Sequence, residues 1–145
     1  MDSNPDKQAV KNAWAAFSTR DARQIAAVFT EDAQWLAPAG NATARFFGKG
    51  HQIVGRAEIV QFLAHDFHRL FVADVEIGFT GLHADGPVVV LEQSLRATLA
   101  GGRVYDNEYC FVITLRDGLI HRVREYMDTR RGHECIFGES QTRAA

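Results

Sequence analysis

The run Arg124-Glu-Tyr-Met-Asp128 places a guanidinium, a phenol and a carboxylate near the end of a strand-like segment. Asp128 is the leading acid/base candidate, because a carboxylate in an apolar pocket has its pKa moved toward neutral pH. Arg124 would hold it ionised, and Tyr126 would donate to a developing oxyanion. The plainer account of Asp128 is a solvated strand end, or an ion pair with Arg124 that serves structure alone. Glu92 is the second carboxylate. Its segment alternates Val88, Val90, Glu92, Ser94 and Arg96 on one face with Val89, Leu91, Gln93 and Leu95 on the other. If the first face looks inward, Glu92 and Asp128 form a paired-carboxylate site able to divide acid and base roles. If it looks outward, Glu92 is only solvated. Asn107 stands between Tyr105 and Tyr109 on a shared strand face. A buried amide needs partners, so Asn107 is either a structural bracket or a donor to a ligand. Tyr109 is a further phenol for polar substrate groups, with sheet packing as its alternative.

The six histidines add less. His51 sits in a glycine-rich stretch that could carry it over a pocket as part of a lid, and an exposed loop histidine is the alternative. His65 and His68 are three residues apart on a helical pattern. No further ligand has metal-site spacing, so no metal is expected. His121 and His133 read as surface residues. The chain has no Gly-x-Ser-x-Gly, phosphate loop or dinucleotide fingerprint, and no cofactor is expected.

The elements that position these groups follow from periodicity. Ser3, Asn4 and Pro5 start a helix with Ala9, Ala13, Ala16 and Phe17 at helical spacing, and Asp21 caps a second with Ile25, Ala26, Val28 and Phe29 as its stripe. A short strand covers 33–37 and stops at Pro38. Residues 38–55 are irregular and hold Phe46 and Phe47, read either as core packing or as a flap over an apolar ligand. A third helix runs over 56–70, burying Ile59, Phe62, Leu63, Phe67 and Leu70. Turn signals at Asp85-Gly86-Pro87, Gly101-Gly102 and Asp117-Gly118 then divide four long strands, 72–84, 88–100, 103–116 and 119–130. In the last of these a regular alternation groups Ile120, Arg122, Arg124, Tyr126 and Asp128. Ile120 and Val123 are an odd step apart, which points to a bulge that switches faces midway. The order predicts an α+β domain in which a cone-shaped, curved antiparallel sheet wraps three helices and leaves one end as a pocket. A single domain over 1–145 is expected, with 131–145 a partly ordered tail.

Phe29-Thr-Glu-Asp-Ala-Gln-Trp35, Gly55-Arg-Ala-Glu-Ile59, Tyr105-Asp-Asn-Glu-Tyr109 and Arg124-Glu-Tyr-Met-Asp-Thr129 resemble the SnoaL-like branch of the ketosteroid-isomerase-like superfamily, which shares the nuclear transport factor 2 fold. The resemblance covers about residues 8–137 and implies the same cone, but it specifies a fold better than a reaction. It also implies exclusions. Where steroid isomerases place their proton-shuttling aspartate this chain has Ala37, and Ala13-Trp14 replace the oxyanion tyrosine. Where the limonene-epoxide-hydrolase type has an Arg-x-Asp pair the chain reads Glu92-Gln93-Ser94, leaving only Asp128. The resemblance turns Trp35 toward the pocket floor. Trp35, Phe17, Phe62, His51, Asn107, Tyr109 and Arg124 are therefore the substrate-binding candidates, and Asp128, Tyr126 and Glu92 the catalytic ones. The activity implied is cofactor-independent isomerase, cyclase, dehydratase or hydrolase chemistry on a small apolar cyclic or carbonyl compound. A non-catalytic ligand-binding or dimerising module is the alternative.

Composition bounds the rest. With 46% hydrophobic and 23% charged residues the chain is of ordinary globular type, and its net charge of −2 gives no footprint for nucleic acid. No apolar run approaches the ~20 residues of a membrane span. The polar N-terminus and two unframed cysteines, Cys110 and Cys135, point to a cytoplasmic protein. A homodimer through the outer sheet face is expected.

Overall fold

The structure, a computed structural model, describes residues 4–138. Helix α1 (Pro5–Ser18) starts where Asn4 accepts from the Asp6 and Lys7 backbone N–H groups, with Pro5 in the first turn. Both devices satisfy or remove donors that a helix start leaves unpaired. Val10, Ala13 and Trp14 are its buried stripe. Helix α2 (Ala22–Ala26) is capped by Asp21 and buries Ile25. It ends sooner than its apolar stripe suggests, because Phe29 already belongs to strand β1 (Phe29–Leu36), where Phe29, Ala33 and Trp35 alternate inward.

The segment expected to be irregular holds two short elements. Helix α3 (Ala42–Phe47) is capped by Asn41 and closed by Gly48, whose φ of 66° is the left-handed conformation that glycine adopts without strain. Strand β2 (Gln52–Val54) pairs antiparallel with β1. The third helix of the sequence pattern is interrupted. Helix α4 (Arg56–Gln61) passes into a π-helical segment, Phe62–Asp66, and then into α5 (Phe67–Leu70).

Four strands follow: β3 (Phe71–Asp85), β4 (Val88–Leu99), β5 (Val104–Arg116) and β6 (Leu119–Met127). At the β5–β6 turn Asp117 and Gly118 both have positive φ, 53° and 79°, which is what a two-residue hairpin joining right-twisted strands needs. The sheet order is β2-β1-β6-β5-β4-β3. It is mixed and open. All pairs are antiparallel except β1 with β6, where Trp35 lies beside Val123. In the parallel pair β1 takes the free edge of β6 while its other edge pairs with β2. The helices of the N-terminal half pack on the concave side, giving an α+β cone.

Residues 129–137, expected to be the last two positions of a strand and the start of a partly ordered tail, form a helix (α6, Thr129–Phe137). Ile136 is buried, the Arg103 guanidinium donates to the Ile136 carbonyl, and Arg131 Nε donates to the Asp106 carbonyl. The rest of the expected tail, like the first three residues, lies outside the described residues. Among the described residues no helix is long and apolar enough to cross a membrane.

Aromatic packing knits the helices to the sheet. Phe29 is fully buried, stacked on Phe17 at 5.7 Å and tilted against Trp35 at 6.4 Å. Phe29→Ala would leave a cavity between α1 and the sheet, and we expect it to cost about 3–5 kcal/mol of stability, read from urea unfolding midpoints.

Candidate functional site

The face each residue of β6 presents is set by one extra residue. Leu115 pairs with Ile120 and Thr114 with Arg122, so His121 is a bulge. Before it Ile120 faces the core. After it Val123 does so, and Glu125 follows on the same face while Arg122, Arg124 and Tyr126 turn outward. Glu125 lies opposite Phe111 on β5. Its Oε1 accepts a 2.7 Å hydrogen bond from Trp35 Nε1.

This carboxyl stands in a cavity of about 570 Å³ on the concave side, walled by aromatic and aliphatic groups. Trp14, Trp35 and Phe111 form one cluster, with ring centroids 5.3 to 6.2 Å apart. Phe47, Phe62 and Phe67 form another from α3 and the interrupted helix. Burial disfavours the charged form of Glu125 and pushes its pKa from an ordinary 4.5 to about 7, although the Trp35 hydrogen bond pulls in the other direction. Glu125 therefore changes charge near neutral pH. That range suits a group that must both take and give a proton.

Beside it Tyr109 lines the cavity and shares a 2.6 Å hydroxyl–hydroxyl hydrogen bond with Tyr105. Burial raises both phenol pKa values, Tyr109's well above the usual value, so both are neutral donors. Where Tyr105 donates to Tyr109, the Tyr109 proton is left to point elsewhere. Asn107 closes this network. Its amide donates to Tyr105 Oη at 3.1 Å and to the Asp128 carbonyl at 3.0 Å, and its own oxygen accepts from the Glu108 N–H. Both kinds of group on the amide are thus engaged within the protein, which makes Asn107 the structural bracket of the two earlier alternatives. On the neighbouring strand Gln93 is buried and accepts from Trp14 Nε1 at 2.8 Å.

Phe17, Phe62, Trp35, Tyr109 and His51 all border the cavity. Phe47 does too, while Phe46 is exposed. The expected catalytic trio lies elsewhere. Asp128 is exposed, and its side chain caps α6 by accepting from the Arg131 N–H at 3.0 Å. Tyr126 and Arg124 are exposed on the outer face because the bulge displaces them. Glu92 occupies the outer face of β4, 3.5 Å from His83. Asp128, Tyr126 and Glu92 do share a shallow outer cleft with Glu108 and Cys110, but none of the three reaches the apolar hollow. Glu125 went unnoticed for the same reason that Asp128 was favoured: the alternation was carried straight through position 121. The odd step from Ile120 to Val123 was the available signal. Among the described residues no His, Cys, Asp and Glu cluster is arranged to hold a metal.

A family model described as SnoaL-like domain matches residues 10–123. The chain belongs to that family. Solved structures of similar fold include TerC co-crystallised with polyporic acid, 27% identical, covering 92% of this chain and 98% of its own, with a TM-score of 0.78. An NTF2-like protein of unknown function from Burkholderia pseudomallei is 21% identical over 91% and 97%, with a TM-score of 0.77. An LEH-like epoxide hydrolase from M. tuberculosis is 20% identical over 92% and 90%, at 0.71. No curated protein matches the chain in sequence.

Two titration outcomes follow from the burial of Glu125. Its carboxyl carbon, observed by NMR, is expected to titrate near pH 7, and Trp35→Phe, which removes the indole donor, is expected to raise that midpoint further. The unfolded chain releases this proton near 4.5 and the folded chain near 7. The folded state thus binds more protons between those values, and stability falls as pH rises through that window. Denaturant melts across the window should show the fall in the wild type, and Glu125→Gln should remove Glu125's share of it.

Proposed function

We propose that this protein is a cofactor-independent acid/base enzyme that takes a small apolar cyclic or carbonyl compound into the cavity and moves a proton with Glu125. The observation that supports this reading is the carboxyl itself: a single acid with a pKa near 7, held by one indole hydrogen bond in an aromatic hollow. A structural carboxylate would be expected at the surface or in an ion pair, since unpaired burial destabilises its charged form.

The chemistry is proton removal and return by one carboxyl group. Ionised Glu125 takes a proton from a carbon beside a carbonyl, and the electron pair moves onto the carbonyl oxygen as an enolate. Neutral Tyr109 is a hydrogen-bond donor on the same wall for such an oxygen. Where a double bond is conjugated with the enolate, returning the proton at its far carbon completes an isomerisation. Where the enolate carries a β-hydroxyl, Glu125 hands the proton to that oxygen, which leaves as water with the C–O bond's electron pair, and a dehydration is complete. Among proteins of similar fold, TerC has been co-crystallised with polyporic acid and the mycobacterial protein is an LEH-like epoxide hydrolase. Ligands and reactions of that kind agree with the proposed substrate class.

A test need not await the natural substrate. 5-Nitrobenzisoxazole opens to a coloured cyanophenolate when a base removes its ring C–H proton, so it reports a carboxylate base in an apolar site directly. We expect turnover whose kcat/KM rises with pH through about 7, following Glu125 ionisation. Glu125→Gln should lose about 10²-fold or more. Asp128→Asn should keep full activity, since asparagine caps a helix as well as aspartate does. Turnover that survives Glu125→Gln would overturn the assignment. Binding of the compound without Glu125-dependent opening would mark a binding module instead.

A further inference from the structure

Five residues in a regular α-helix turn through about 140° beyond one full revolution, so groups at i and i+5 look in different directions. A π-helical turn brings i and i+5 into line. The segment Phe62–Asp66 does this to two pairs at once, and Phe62, Phe67, Leu63 and His68 all border the cavity. His68 reaches the cavity wall by this device.

Its ring is in an unusual state. Both nitrogens are shut off from solvent, and neither has a hydrogen-bond partner. The Leu63 backbone, five residues back, supports the ring without meeting hydrogen-bond geometry. Desolvation first, and the nearby Arg20 charge second, hold the imidazole pKa below its usual value, so the ring is neutral and keeps one donor and one acceptor. An unmade hydrogen bond on a buried polar group destabilises the empty protein, and a ligand oxygen that draws the ring round until a nitrogen faces the cavity recovers that loss.

Arg20 sits at the turn between α1 and α2 with φ 60° and is exposed at the cavity rim. Lys11 borders the cavity as well, and among the described residues neither has a carboxylate partner. Lys49 also borders it but is engaged by Asp66 at 3.0 Å. Against these cations Glu125 is, among the described residues, the one acid on the lining. A cationic rim beside an unpaired imidazole is complementary to an oxyanion, which accepts from both.

We propose that His68 and Arg20 form an anion-recognising end of the cavity, selecting apolar ring ligands that carry an acidic oxygen group. This rests on the reading of the cavity as a ligand site. It adds that one end of the ligand is charged.

Two fluorescent probes of nearly the same frame separate the claims: 8-anilinonaphthalene-1-sulfonate, an anion, and N-phenyl-1-naphthylamine, which lacks the sulfonate. Both are expected to bind the wild type and to displace each other, the sulfonate about tenfold more tightly. His68→Leu and Arg20→Gly should each abolish most of that preference, weakening the sulfonate probe's binding far more than the neutral probe's. His68→Gln, which restores a donor, should recover part of it. Arg20→Gly is compatible with the positive φ at that position, so it tests the proposal even if His68→Leu proves unstable. Equal affinity for the two probes, or a preference that survives both substitutions, overturns the anion end and leaves the cavity reading standing. Failure of both probes to bind overturns the cavity reading and the anion end together.

Discussion

The indole–carboxyl hydrogen bond between Trp35 and Glu125 is the interaction on which the interior depends. A carboxyl placed among tryptophan, phenylalanine and tyrosine rings has lost part of its hydration, and one N–H donor does not replace it. The outcome is a compromise in protonation: the group stays neutral until pH approaches 7. The same hydrogen bond fixes Trp35 from both sides. Its ring packs against Trp14 and Phe111 while its nitrogen is held by β6. Strand β1 and strand β6 are thus joined by backbone pairing and also by a side-chain contact at the floor of the hollow. Any change that moves one moves the other.

That contact exists because of the bulge at His121. Without the extra residue, the period-two alternation from Ile120 would send Glu125 to solvent and bring Arg124 inward. Two arginines would then face the aromatic cluster, and no arrangement on the concave side could neutralise them. The π-helical segment is the counterpart on the opposite wall. Each device inserts one residue's worth of offset into a regular element, and each delivers one polar group, Glu125 or His68, to the lining.

These two irregularities also mark where the sequence is legible and where it is not. Strands β3 to β5 could be read almost to the residue, because turn dipeptides such as Asp117-Gly118 are local signals, whereas β6 ends at Met127, three residues before the expected 130, and its alternation breaks at the bulge. The capped helices α1 and α2 were legible for the same reason, through Asn4 and Asp21. The cone itself came from resemblance as much as from periodicity. Glu125 was missed because face assignment is cumulative: one unplaced bulge inverts every residue beyond it. The Ile120–Val123 step hinted at the bulge without saying which side of Arg122 held it. His68 was considered only with His65, at a spacing that assumes α-helical geometry, and the π-turn pairs it with Leu63 instead. Helix α6 was overlooked because most of its nine residues are polar. Its place is held by Asp128 as cap and by backbone acceptors for Arg103 and Arg131, none of which has a periodic signature.

The two polar groups bear on each other through charge. A ligand that brings an anion into the cavity adds negative potential to a carboxyl already reluctant to ionise, and so favours its protonated form further. A neutral carbonyl ligand adds none and leaves Glu125 free to act as a base near pH 7. An anionic ligand would therefore meet Glu125 as an acid, unless the cations at the rim offset its charge. Lys11 and Arg20 have no carboxylate partner among the described residues, and they are placed where such an offset could act. The same rim that would recognise an acidic ligand would thereby decide which way the proton moves. Acid or base is then a property of the loaded cavity, not of Glu125 alone.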